Sequence, residues 1–177
     1  MQFLKEFKPT IFFLVKFLAF YLIGSLLYGW YISSWHPNVD PITSEVADQT
    51  SILLNVLNWE TSVFDHYRRP TSNLVLNDKA ILAIYEGCNG VNVTIVFVGF
   101  LLAFGQINKR LYWFIPVGLL AIHAGNLLRI VLLFFVSTKL PDFMYFAHKY
   151  LFTAFIYLIV FVLWIWWVRT IPKPVRQ

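Results

Sequence analysis

The sequence predicts an all-α polytopic membrane protein of about four transmembrane helices, with a short extracytoplasmic amphipathic helix and a small β-hairpin. Three observations predict it. Four stretches read as long and apolar enough to span a hydrocarbon core of roughly 30 Å. Hydrophobic residues make up 59% of the chain and charged residues only 13%, against about 25% charged in a soluble domain. Every acidic residue except Glu6 falls on one side of those stretches, while basic residues flank the other.

The composition narrows the class further. Eighteen Phe, nine Tyr and seven Trp suit a chain solvated by lipid, with amphipathic rings at the interfaces. The net charge of +5 is spread singly or in pairs between apolar runs, which is not the clustered basic face of a nucleic-acid binder. The length of 177 residues is that of one domain, so residues 1–177 read as a single integral membrane domain. The one cysteine, Cys88, leaves no intrachain disulfide.

The first span covers residues 11–33, interrupted by Lys16 near enough to the inner end to snorkel. It is too long for a signal-peptide core and no A-x-A-like site follows it, so it is expected to stay uncleaved. The second span, 91–106, is short and needs part of segment 87–90 to reach across. The third covers 112–137 and the fourth 148–168. Lys5, Lys8, Lys109, Arg110, Arg169, Lys173 and Arg176 lie at one set of helix ends. The positive-inside rule then places both termini and segment 107–111 in the cytoplasm of a multi-pass inner-membrane protein. The loop at about 34–87 and the turn at 138–147 fall outside.

Local signals organise the outer loop. Asp40-Pro41 reads as an N-cap with proline at the first helical position. Val46, Leu53, Leu54 and Leu57 follow at near-helical spacing, which predicts an amphipathic helix lying on the outer leaflet. Residues 74–76 and 80–85 read as two strands around a tight Asn77-Asp78 turn. The hairpin so formed delivers Cys88 to the top of the second span.

Polar residues within spans are costly and ask for a reason. The third span holds His123, Asn126 and Arg129. Arg129 lies about 26 Å along the helix from Tyr112 at 1.5 Å per residue, near the outer face, and Asn126 shares its side. The second span begins beside Cys88, with Asn92 four residues on. The fourth begins at His148. A cysteine, an arginine and a histidine from three spans are thus expected at one depth. A thiolate nucleophile, an imidazole acid/base and a fixed cation for an oxyanion suit acyl transfer through a thioester. On this expectation the neighbouring cation lowers the thiol pKa. Each residue also has a plainer reading. A cysteine in a membrane helix is more often packing, an arginine near a helix end often snorkels, and an interfacial histidine is usually structural. His123, about 120° around the helix from Arg129, takes the structural reading.

Two motifs carry a resemblance. Glu86-Gly87-Cys88-Asn89-Gly90-Val91-Asn92 resembles the E-x-C-S-G signature of the exosortase/archaeosortase family, and Asn126-Leu127-Leu128-Arg129-Ile130 resembles its N-x-x-R-[IV] motif. His148, ahead of an aromatic-rich last helix, stands where that family places its histidine. The short length is most similar to the exosortase F type of Bacteroidetes, and the resemblance covers about 73–168. Asn89 stands where many members have serine. The resemblance implies a membrane cysteine transpeptidase that cleaves C-terminal sorting signals. It implies catalytic roles for Cys88 as nucleophile, Arg129 as transition-state stabiliser and His148 as acid/base, with Glu86, Asn92 and Asn126 in support. It implies substrates that are secreted proteins ending in a short motif, a membrane helix and a basic tail. The acceptor nucleophile stays open, a glycan or lipid being among the candidates, and the reading needs no cofactor or metal. A non-enzymatic membrane scaffold, an intramembrane cysteine hydrolase and a small transporter remain as alternatives.

Overall fold

The computed structural model describes residues 7–104 and 109–170. In chain order it comprises α1 (Lys8–Trp35), α2 (Pro41–Val56), β1 (Thr61–Asp65), β2 (Thr71–Leu76), β3 (Lys79–Tyr85), a 3₁₀ turn (Glu86–Cys88), α3 (Val91–Phe104) and α4 (Lys109–Lys139). Short turns over Pro141–Phe143 and Met144–Phe146 then lead into a π-helical turn, Ala147–Leu151, and α5 (Phe152–Thr170).

Among the described residues, three helices are long and apolar enough to cross a membrane: α1, α4, and the continuous run Pro141–Thr170. The expected second span, residues 91–106, is not one of them. α3 has 14 residues, which rise about 21 Å at 1.5 Å per residue, short of a roughly 30 Å hydrocarbon core. The end expected for it at residue 106 lies outside the described residues.

α3 sits at the centre of the helical layer. On one side, the Phe13 ring of α1 meets Phe100 and Phe104 of α3 edge-on, with centroids 5.6 and 5.7 Å apart. α1 buries none of its own residues within the chain. On the other side, Phe97 and Leu101 pack with Ile122 of α4 and with Ile156, Val160 and Trp167 of α5.

A second core forms at one end, around the sheet. β1, β2 and β3 pair in that order, all antiparallel. The expected two-residue turn is present, with Asn77 and Asp78 at φ of 50° and 60°. Both residues tolerate the left-handed region that a hairpin turn of this hand requires. The strands run longer than expected, and β1 is an addition to the expected hairpin. α2 lies across this sheet. Asp40 caps it as expected, accepting from the Thr43 N–H at 3.0 Å. Val46, Ala47 and Leu54 pack with Leu74 and Ile84 of the sheet and with Ile130, Val131 and Phe134 of α4.

That packing corrects the expected role of α2. Its buried stripe, with Val46 and Leu54 among the predicted apolar residues, faces the protein's own core instead of the leaflet. Leu53 and Leu57 are the predicted residues left exposed. The sheet offers an apolar face within reach, and fully burying a leucine or phenylalanine there contributes about 1.5–3 kcal/mol. The length of α4 makes this possible. Its 31 residues rise about 46 Å, so its last turns extend past a hydrocarbon core and serve the sheet.

Candidate active site

β3 runs directly into the Glu86–Cys88 turn, which places Cys88 in the core beneath the sheet and at the head of α3. The turn between them is set by Gly90, at φ +86°, a conformation that costs an L side chain about 1–2 kcal/mol. A methyl group there would also sit 3.3 Å from Asn126 Cγ. Gly90 therefore lets the backbone reverse and lets Asn126 close on it.

Asn126 is fully buried and joins two of the predicted residues. Its Nδ2 donates to the Cys88 carbonyl at 2.8 Å, and its Oδ1 accepts from Arg129 Nη1 at 3.4 Å. Arg129 itself is only 6% exposed, and its Nε has no hydrogen-bond partner. His148 arrives from the π-helical turn, a distortion that α-helices mostly show as single turns and often at functional sites. Its Nε2 lies 3.8 Å from Cys88 Sγ, at the long end for a sulfur hydrogen bond. Cys88, Arg129 and His148 are thus brought together as the sequence led us to expect, with Asn126 as the link between the first two.

Two supporting residues fare differently. Glu86 lies in the turn, where its carbonyl accepts from the Tyr28 hydroxyl at 3.2 Å, and its charge works against the Cys88 thiolate. Asn92 is exposed and is not brought to the site. The four-residue spacing of Cys88 and Asn92 would put them on one face of a continuous helix, but Cys88 closes a 3₁₀ turn and α3 begins only at Val91, after the turn at Gly90. His123 keeps its structural reading, with Nε2 at 2.7 Å from Gln49 Oε1 of α2.

Asn89 has a role that the sequence did not suggest. Its Oδ1 accepts from the Val91 N–H at 3.0 Å, capping α3. Its Nδ2 donates to the Tyr28 hydroxyl at 2.7 Å and to Thr43 Oγ1 at 3.0 Å. A serine hydroxyl is too short to make all three bonds. Asn89 thereby ties the cysteine turn to α1 and α2. Its one visible signal was its departure from the serine of the motif.

Tyr85 was also missed. Its ring folds over Gly87, where any Cβ would strike ring atom Cε2. Its hydroxyl and backbone N–H both favour the Cys88 thiolate. The only signal for it was position, three residues ahead of the cysteine.

The electrostatics overturn one expectation. Burial pushes the Cys88 thiol above its ordinary pKa, and this outweighs the lowering by Arg129 and Tyr85. At 4% exposure the thiolate loses more hydration than the cation returns. Burial therefore favours the protonated form of the thiol. Rates of Cys88 alkylation against pH should inflect above the free-thiol value near 8.5, and Arg129→Gln should move the inflection higher still. An inflection below that value would show that burial does not dominate.

Among the described residues, no three His, Cys, Asp or Glu side chains gather where a metal ion could bind. Compared with known proteins, the chain matches no family model, and no curated protein or solved structure is significantly similar to it.

Proposed function

We propose that the protein is an exosortase-like membrane cysteine transpeptidase. The observation that carries this reading is the meeting of Cys88 and His148, 60 residues apart in sequence, beside a buried guanidinium whose Nε lacks a partner. A buried, permanently charged donor left unpaired is costly, and an oxyanion formed on a carbonyl at Cys88 would complete it.

The reaction runs in two halves. His148 Nε2 takes the Cys88 proton as Sγ attacks the scissile carbonyl carbon. Arg129 stabilises the resulting oxyanion. The C–N bond then breaks, His148 returns the proton to the leaving amine, and the upstream protein is held on Cys88 as a thioester. The substrate's membrane helix and basic tail leave as the amine product. In the second half an acceptor hydroxyl or amine attacks the thioester and gives its proton to His148. The thiolate departs and is reprotonated. Because burial favours the protonated thiol, His148 acts as base and not merely as an orienting group. A 3.8 Å approach is compatible with this, since such contacts often tighten only when substrate binds.

The protein lies in the cell inner membrane with both termini cytoplasmic, and the site faces the extracytoplasmic side. A phosphatase fused after Asp65 should be active and one fused after Lys109 inactive. The reverse pattern would put Cys88 in the cytoplasm and remove secreted proteins as substrates. The chemistry has its own test. Incubated with a tailed substrate and no acceptor, the enzyme should accumulate an adduct on Cys88 that hydroxylamine releases. Processing that leaves no such adduct would exclude the thioester.

A non-enzymatic scaffold is the second reading, and the burial of Cys88 favours it. A thiol within an apolar cluster also fits simple packing.

A further inference from the structure

The far end of α4 and α5, remote from Cys88, holds a groove of about 460 Å³ between the two helices. Lys109 and Arg110 stand at its rim, and the rings of Trp113, Trp166 and Trp167 form its walls. Trp113 and Trp166 are 77% and 50% exposed, so their indoles face outward from the bundle. Arg110 Nη1 donates to the Thr170 carbonyl at 2.6 Å, which pins the two helices together and holds the guanidinium at the rim. None of the described residues that line the groove is a carboxylate, and Arg169, next to Thr170 in sequence, adds a third cation.

We propose that this groove binds an anionic phospholipid, with the phosphate at Lys109 and Arg110 and the first part of one acyl chain along the indoles. Three features of the groove favour a lipid over other anions. Its walls are apolar and belong to two helices long and apolar enough to cross a membrane, where lipid is the surrounding solvent. Indole rings settle at the headgroup level of a bilayer. Paired cations between membrane helices are suited to acidic headgroups, each near-surface cation being worth about a five-fold change in binding. A free phosphate would meet the cations and leave the apolar wall unused. The groove is also of the size that holds a small ligand, roughly 300–1,000 Å³.

The test uses the purified full chain in neutral detergent, titrated with phosphatidylglycerol or phosphatidylcholine, and counts retained lipid by native mass spectrometry. Wild type should retain phosphatidylglycerol about tenfold more than phosphatidylcholine, and inorganic phosphate at the same concentration should not displace it. Lys109→Ala with Arg110→Gln should remove the preference. Val117→Trp keeps both cations but fills the groove, of which Val117 is a lining residue, and should remove retention as well. Lys139→Ala, at the other end of α4, should change nothing. Equal retention of the two lipids overturns the proposal. So does displacement by phosphate alone, an unaltered preference in Val117→Trp, or an equal loss in Lys139→Ala. None of these outcomes depends on whether Cys88 is catalytic.

Discussion

Cells carrying Cys88→Ala retain every tailed substrate as a full-length, membrane-anchored precursor. This is the expected result if Cys88 forms the thioester, because the chain has no second thiol. Removing a nucleophile that acts as a unit with its base costs on the order of 10⁴-fold or more in rate. The substitution should not unfold the protein. Cys88 is buried, yet losing one sulfur atom costs far less than the larger core truncations, which run to about 2–5 kcal/mol. The variant should therefore accumulate in the membrane at near-normal levels, and a pulse-chase of precursor against mature substrate reads the effect. Cys88→Ser should be almost as inactive. A hydroxyl is a much weaker acid than a thiol, and the shorter C–O bond draws the nucleophile back from an imidazole that already stands 3.8 Å away. Normal processing in Cys88→Ala would remove the transpeptidase reading and leave the scaffold.

Arg129→Lys should lower the processing rate by about 10²-fold or more, although the charge is kept. Arginine presents five donors in a rigid plane, whereas a lysine ammonium is a compact point charge on a flexible stem. The Arg129 fork spans from Asn126 Oδ1, taken by Nη1, to the unpartnered Nε. A lysine cannot reach Asn126 and still hold a donor where Nε is. Losing a single oxyanion donor typically costs 10²–10³-fold. Two measurements separate this from simple misfolding. Protein level in the membrane should stay close to wild type, and the Cys88 alkylation inflection should move little, since a cation remains nearby. A processing rate within about threefold of wild type would show that only the charge of Arg129 matters and that the planar fork does not.

Much of the fold was legible because it is encoded at short range. The capping of α2 by Asp40 and the Asn77-Asp78 turn depend on a few adjacent residues. The apolar lengths of α1, α4 and the last helix are properties of their own segments. The shortfall of α3 was visible in the same way, since no residue can lengthen a run that ends. Strand β1 was not read because its single half-buried residue, Val63, stands among polar or exposed neighbours, and it is a strand only through its pairing with β2.

The candidate site divides along the same line. Residue types and spacing alone placed Cys88, Arg129 and His148 at three helix ends and linked Asn126 to Arg129 through their three-residue separation. Only the tertiary structure decided that Cys88 meets His148, that Asn126 also holds the Cys88 carbonyl, and that Asn92 points elsewhere. The direction of the thiol's shift also depends on the fold. From the sequence, a neighbouring cation predicts a lowered pKa. In the fold, α2, the sheet and the end of α4 close over the sulfur, and the lost hydration outweighs that cation. Periodicity and capping act through hydrogen bonds and side-chain directions within a turn or two of helix, so a linear sequence displays them. Burial and the distance between groups 60 residues apart depend on how three separate elements pack, and no local pattern carries that information.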